Sequence, residues 1–427
     1  MADMNQTDLK AMQTLIRLVS AGARKEDISG LSVEWNTVLP LAAEQQVIPL
    51  VASALLHSPG LACPDQLHEY LLNVMRAESS INMIRRQRIM HLLQELKSAG
   101  IDAKILKGYA VADYYAHPEC RGSVDTDLLI DIKQEKRAIK FFKDHGFKVS
   151  PRVPTSQHVV CQHKKYGMVE LHVALYAELI SDIWFQGMNV SKLIREPFVD
   201  VEGSEGDLST LGHTDQLIFL TLHMVKHFVL EGLTIRMMLD IAVYFSQNKD
   251  RIDAERFWAV MSDLNYTSLI KCILGCFIHY GGFQNEMFSD VETKNMRLEN
   301  QLLTDIQIGG YLGVTEKDLR YKGGMEYNRR KILKEKSVLG YKAYMVYYRV
   351  RTGTKSMFPS YARLKEMYPC IGKVFLLALP IWVWQAVSFP IKRLSAGVLS
   401  RDILTENGMI PTEVKRRIEL FEDLNML

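Results

Sequence analysis

Two short patterns in this chain of 427 residues carry residue types that could do chemistry: Asp125-Thr126-Asp127 and Glu170-Leu171-His172. Each lies in a run that alternates polar and apolar residues, the mark of a β-strand, where residues i and i+2 share a face. Asp125 and Asp127 therefore project side by side, while Val124, Leu128 and Ile130 turn to a core. Neighbouring carboxylates repel, and keeping both ionised at one place calls for a cation. Oxygen ligands suit a hard divalent ion, Mg2+ first and Mn2+ as an alternative. An exposed edge strand with two solvated acids is the other reading of the same spacing. On the second strand, period two puts Glu170 and His172 on one face and Val169, Leu171 and Val173 on the other. If the two polar faces meet, three carboxylates converge on one metal site. His172 by itself reads equally as a structural histidine.

The acids are preceded by KILKGYAVADYYAHPECRGSV, residues 104–124. Residues 103–106 read as a strand, Lys107-Gly108 as a turn, and the segment carrying Tyr114 and Tyr115 as a helix, with Pro118 and Gly122 breaking it. A turn glycine lets backbone N–H groups approach a phosphate, a helix N-terminus favours an anion, and Lys107 adds a positive charge. Turn, helix and D-x-D strand in this order resemble the core of the DNA polymerase β-like nucleotidyltransferases. More narrowly, Leu106-Lys107-Gly108, Tyr114-Tyr115, Arg121, Asp125-x-Asp127-Leu-Leu-Ile and Val169-Glu170-Leu171-His172 resemble a bacterial family of uncharacterised nucleotidyltransferases.

That resemblance implies transfer of a nucleoside monophosphate from an NTP, ATP among the candidates, to a hydroxyl acceptor with release of pyrophosphate and the help of two Mg2+ ions. It implies Asp125, Asp127 and Glu170 as catalytic metal ligands. Lys107, Gly108, Tyr109, Arg121 and His172 become the nucleotide contacts. The chain departs from the wider superfamily in having Lys107-Gly108-Tyr109 where many members have Gly-Gly or Gly-Ser. The acceptor stays open among a small molecule, a protein and a tRNA. Two other readings keep the fold: a non-catalytic nucleotide-binding scaffold of a membrane-associated, surface-polysaccharide assembly, and a tRNA-modifying nucleotidyltransferase toxin.

The elements that must position these residues give an α+β fold, a small mixed-sheet core between helical regions. Helical spacing covers residues 8–58 and again about 64–96, where Leu71, Leu72, Val74, Met75, Ile81, Met83, Ile84, Ile89, Leu92 and Leu93 form a stripe beside Arg85, Arg86 and Arg88. Those arginines read as a solvated face or as substrate contacts. After the acidic strand come a helix over 133–145 stopped by Gly146, strands at 147–150 and 157–163, a hairpin turn at 164–167, and the Glu170 strand. From Asp215 onward the pattern is helical, with Thr214 as the expected N-cap. His223 and His227 share a helix face there, as do Arg236 and Asp240. They read as a buried Arg236–Asp240 pair and a histidine network, as a device that closes over substrate, or, for the histidines, as a zinc pair. The divisions are 1–100 (helical), 101–205 (catalytic), 206–290 (helical) and 291–427 (helical, with the apolar segment 374–389).

A net charge of +3 does not suit a coat for large nucleic acids, and no DNA partner is expected. The basic, tyrosine-rich stretch 321–351 reads as solvated helices or as an RNA- or lipid-facing surface. The 374–389 run is short of a spanning helix and reads as a buried hairpin or as peripheral contact with the inner membrane. Six scattered cysteines without a pairing pattern, and a start that lacks a basic and apolar leader, point to a reduced cytoplasmic setting.

Overall fold

The computed structural model describes residues 6–123, 125–150, 156–176, 192–201, 208–289, 295–311, 317–335, 383–384 and 411–427. Val124, most of the 374–389 run and residues 336–351 of the basic stretch lie outside them. The frame is a five-stranded mixed sheet set among helices, as the alternation of the sequence predicts.

Strands β1 (Lys104–Ile105), β2 (Asp125–Leu129), β3 (Lys148–Val149), β4 (His158–His163) and β5 (Gly167–His172) lie in the order β1-β2-β5-β4-β3. The β2–β5 pair is parallel and the rest antiparallel. One face, carrying Leu128, Val159, Cys161, Val169 and Leu171, is buried against Phe142 and the last turns of the long helix α4. The other face carries the polar residues of both acidic strands. Strands β6 (Val199–Asp200) and β7 (Ser209–Thr210) form a separate ribbon, and Thr210 donates a 2.6 Å hydrogen bond to Ile105 O.

Helices α1 (Gln6–Arg24), α2 (Trp35–Glu44) and α3 (Ile48–Leu56) pack into a core shared with α7 (His213–Leu230), α8 (Ile235–Asn248), α9 (Ala254–Asp263) and α10 (Thr267–His279). Cys272 and Cys276 belong to that core. Helix α4 (Asp65–Ser98) has 34 residues and is about 50 Å long at 1.5 Å per residue, linking this core to the sheet. The expected stripe breaks at its middle. Ile81, Met83 and Ile84 are exposed, and Asn82 packs there instead, donating to Glu119 O at 2.9 Å. Helix α4 meets a core only at its two ends, so its apolar side is buried only there. Its arginines make local contacts: Arg86 forms a two-bond pair with Asp113, and Arg88 donates to Lys165 O at 2.9 Å.

Two further expectations are corrected. The helix after Gly108 is a single turn, α5 (Tyr109–Ala112), because Tyr114 and Tyr115 continue in i→i+3 turns toward Pro118. Four residues build almost no macrodipole, so a helix-end argument for phosphate does not apply here. Helix α7 starts at His213 with Gly212 as its N-cap. Thr214 does not cap it, since the Glu196 carboxylate takes the backbone N–H groups of Thr214 and Asp215. Helix α6 (Glu135–Asp144) ends as expected at Gly146, whose φ is +81°. Beyond α10 the described chain comprises α11 (Met296–Gly309), α12 (Lys317–Glu335) and α13 (Thr412–Asp423), joined by Asp305 on α11 to buried Arg320 and Arg417. Among the described residues no helix is long and apolar enough to cross a membrane.

Candidate active site

Parallel register between β2 and β5 sets Asp127 opposite Glu170 and Leu129 opposite His172. Antiparallel register between β5 and β4 then sets His158 opposite His172. Asp125, Asp127, Glu170, His172 and His158 thus share the sheet face that is not buried in the sheet core. Oxygens of Asp125, Asp127 and Glu170 lie within 4.8 Å of one another. Asp127 is 2 % exposed, and its buried Oδ2 accepts no hydrogen bond of good geometry. Three converging carboxylates are a donor set that suits a hard divalent cation.

Two protein cations face this cluster. The Lys107 ammonium lies 3.2 Å from Asp125 Oδ2 and 3.1 Å from Asp127 Oδ2. Burial opposes its charge, but Asp127 and Asp125 outweigh it and raise the lysine above its ordinary value. On the other side, His172 Nε2 lies 3.0 Å from Asp127 Oδ1 and 3.5 Å from Glu170 Oε2. Burial again works against the imidazolium, and the two carboxylates overcome it, raising His172. In return, burial of Asp127 is outweighed by Lys107 and His172, which hold it below the usual carboxylate range. Burial of Glu170 is outweighed by His172 and His158, which draw it down to about 2.

Gly108 follows with φ +65° and ψ −103°, a backbone that side chains rarely adopt. A Cβ there would lie 3.0 Å from Ser123 Oγ, and Ser123 in turn donates to Asp125 O at 2.8 Å. The backbone before the turn is pinned: Leu106 N donates to Asp127 O at 3.1 Å, and Gln216 Nε2 donates to Leu106 O.

Beside the carboxylates is a narrow cleft of about 60 Å3 whose walls include Lys107, Gly108, Arg121, Ser123 and Asp125 from the sheet side and His223, Arg236 and Asp240 from the helices. Leu220, Met224 and Met237 supply apolar surface. The mixed lining and the position beside the carboxylates suit a ligand with charged and apolar parts. His223 Nε2 lies 3.3 Å from Lys107 Nζ and 3.0 Å from His227 Nε2. Burial and the Lys107 charge push His223 well below its ordinary value, so it stands as a neutral imidazole. His227 is tied in turn to Glu231 at 2.6 Å. The histidine network expected on this helix is present.

The sequence pairing of Arg236 with Asp240 is replaced by a longer-range one. Asp240 accepts from Arg121 Nε at 3.0 Å, Arg121 Nη2 at 2.5 Å and Tyr115 OH at 2.7 Å. Arg236 donates to Gly122 O at 2.9 Å and to Tyr311 OH at 3.1 Å. Arg121 is thus anchored by Asp240 with its Nη1 edge toward Gly122. Tyr109 is 7 % exposed and belongs to the sheet core rather than to the cleft lining, because the single turn after Gly108 begins against that core.

The structure brings together Asp125, Asp127, Glu170, His172, Lys107, Gly108 and Arg121. It adds His158, which the sequence reading missed although the 164–167 hairpin already sets the pairing of residue 158 with 172. It also puts His223 and Arg236 in the cleft wall, where only helix spacing had marked them. No curated protein and no solved structure matches the chain. A family model described as uncharacterised nucleotidyltransferase matches residues 32–281, more than half of the chain and all of the elements that build this site. The protein belongs to that family and is a transferase.

Proposed function

We propose that this site transfers a nucleoside monophosphate from an NTP to a hydroxyl acceptor, with divalent metal held by Asp125, Asp127 and Glu170. The observation that carries the reading is the convergence of these three carboxylates on one sheet face beside a cleft lined by Lys107, Arg121 and Arg236. When bound, Mg2+ supplies charge stabilisation at the reacting phosphate and acidifies the acceptor hydroxyl. The protein's own part is positioning. The acceptor oxygen bonds to the α-phosphorus as the bond to the bridging oxygen of the β-phosphate breaks. The acceptor proton leaves to a carboxylate oxygen, and pyrophosphate departs. Gly108 removes the Cβ that would obstruct approach to the turn, and Lys107, released from Asp125 and Asp127, neutralises the departing phosphates. Arg236 and Arg121 add positive charge along the wall, and Leu220, Met224 and Met237 offer a surface for the base.

The acceptor belongs to the hydroxyl-bearing small molecules, proteins or tRNAs. Calorimetric binding of the four ribonucleoside triphosphates, with and without Mg2+, tests the donor site without knowledge of the acceptor. Mg2+-dependent binding of one triphosphate, lost in Asp125→Asn/Asp127→Asn while the far-UV spectrum is kept, is the expected result. Equal binding by the double variant would overturn the assignment.

A further inference from the structure

His158 plays no part in the reading above, yet it completes a second set of donors on the same sheet face. Its Nδ1 is buried, has no hydrogen-bond partner, and lies 3.8 Å from Glu170 Oε2. Glu170 Oε2 is 3.5 Å from His172 Nε2, and one donor atom from each of His158, Glu170 and His172 falls within 4.8 Å of the others. Asp127 Oδ1, at 3.0 Å from His172 Nε2, adjoins the same point. An orphaned imidazole nitrogen next to a carboxylate oxygen is costly unless something sits between them.

We propose that His158, His172, Glu170 and Asp127 form a transition-metal position with two nitrogen and two oxygen donors, selective for Zn2+ over Mg2+. Imidazole nitrogen raises affinity for borderline ions and adds little for Mg2+, which prefers carboxylate and water oxygens. Asp127 has its Oδ1 toward this position and its Oδ2 toward Lys107, so the two metal positions share the Asp127 carboxylate as they share that of Glu170. Strand register makes the arrangement rigid, since His158 and His172 are direct cross-strand partners and Asp127 and Glu170 are another such pair. The proposal shares Asp127 and Glu170 with the nucleotide reading but requires no nucleotide.

The test uses the full chain and the metals alone. Zn2+ and Mg2+ affinities are measured by chelator competition and calorimetry on wild type and His158→Ala, and electron spin-echo modulation of bound Cu2+, which like Zn2+ favours imidazole, is recorded on both. Wild type binds one Zn2+ at least 100-fold more tightly than Mg2+, and its Cu2+ signal shows coupling to two imidazoles. His158→Ala weakens Zn2+ at least tenfold, leaves Mg2+ within about twofold and reduces the coupling to one imidazole. Absence of nitrogen coupling in wild type, which needs no variant, overturns the proposal. So does unchanged Zn2+ affinity in His158→Ala, or an equal loss of both metals. Mg2+-dependent triphosphate binding without nitrogen coupling would leave the nucleotide reading standing and remove this one. Nitrogen coupling without triphosphate binding would do the reverse.

Discussion

Replacing Asp240 by Asn should destabilise the protein far more than a polar-for-polar change normally does. Arg121 and Asp240 are 7 % and 6 % exposed, so neither charge has water to fall back on. The aspartate accepts three hydrogen bonds, two from Arg121 and one from Tyr115. Asparagine keeps one acceptor oxygen and turns an amide N–H2 toward a guanidinium that can only donate. Removing one partner of a buried ion pair costs about 3–5 kcal/mol, chiefly because the other charge remains buried. Since the Asn oxygen preserves part of the contact, about 3 kcal/mol is expected. Equilibrium urea unfolding gives the change through the transition midpoint. The same argument requires that Arg121→Met/Asp240→Leu recover more than half of the loss, because no charge is then stranded. A cost below about 1 kcal/mol for the single variant, or a double variant as unstable as the single, would refute the reasoning. As both residues line the cleft, Mg2+-dependent triphosphate binding should fall with Asp240→Asn and should not return in the double variant, which lacks the Arg121 charge.

Gly108→Ala should cost about 1–3 kcal/mol in unfolding experiments, since its φ of +65° strains any side chain and the new Cβ presses on Ser123. Calorimetry should show triphosphate binding weakened more than tenfold, because Ser123 holds the start of the Asp125 strand. Lys107→Met removes the ammonium that lies between Asp125 and Asp127, so free Mn2+ should bind at least tenfold more tightly by electron spin resonance titration; weaker binding would mean that Lys107 does not compete with the metal. At Asp305, burial is outweighed by Arg417 and Arg320, which hold the carboxyl below its ordinary value. A depressed carboxylate contributes stability above its unfolded pKa of about 3.9 and loses it as pH falls through the folded value. Hydrogen exchange should therefore show helix α13, which carries Arg417, losing protection below about pH 4, and Asp305→Asn should show reduced protection with little pH dependence across that range.

The sequence alone determined the faces of the two acidic strands. Period two is a property of the extended backbone, so Asp125 with Asp127, and Glu170 with His172, follow from spacing, and the family resemblance rests on the same residues. Helix existence was equally legible, for the 3.6-residue repeat is also local. The tertiary structure decided what those faces meet. Asp240 reaches Arg121, 119 residues away, rather than Arg236 on its own helix, and no local pattern encodes that choice. Lys107 lies on the carboxylates because the parallel pairing of β2 and β5 concentrates negative charge beside the turn that carries it. The middle of α4 is exposed because packing partners, and not periodicity, determine which apolar residues are buried. His158 enters the site for the same reason: side-chain type and spacing mark one strand at a time, and only the register between strands brings its nitrogen to Glu170.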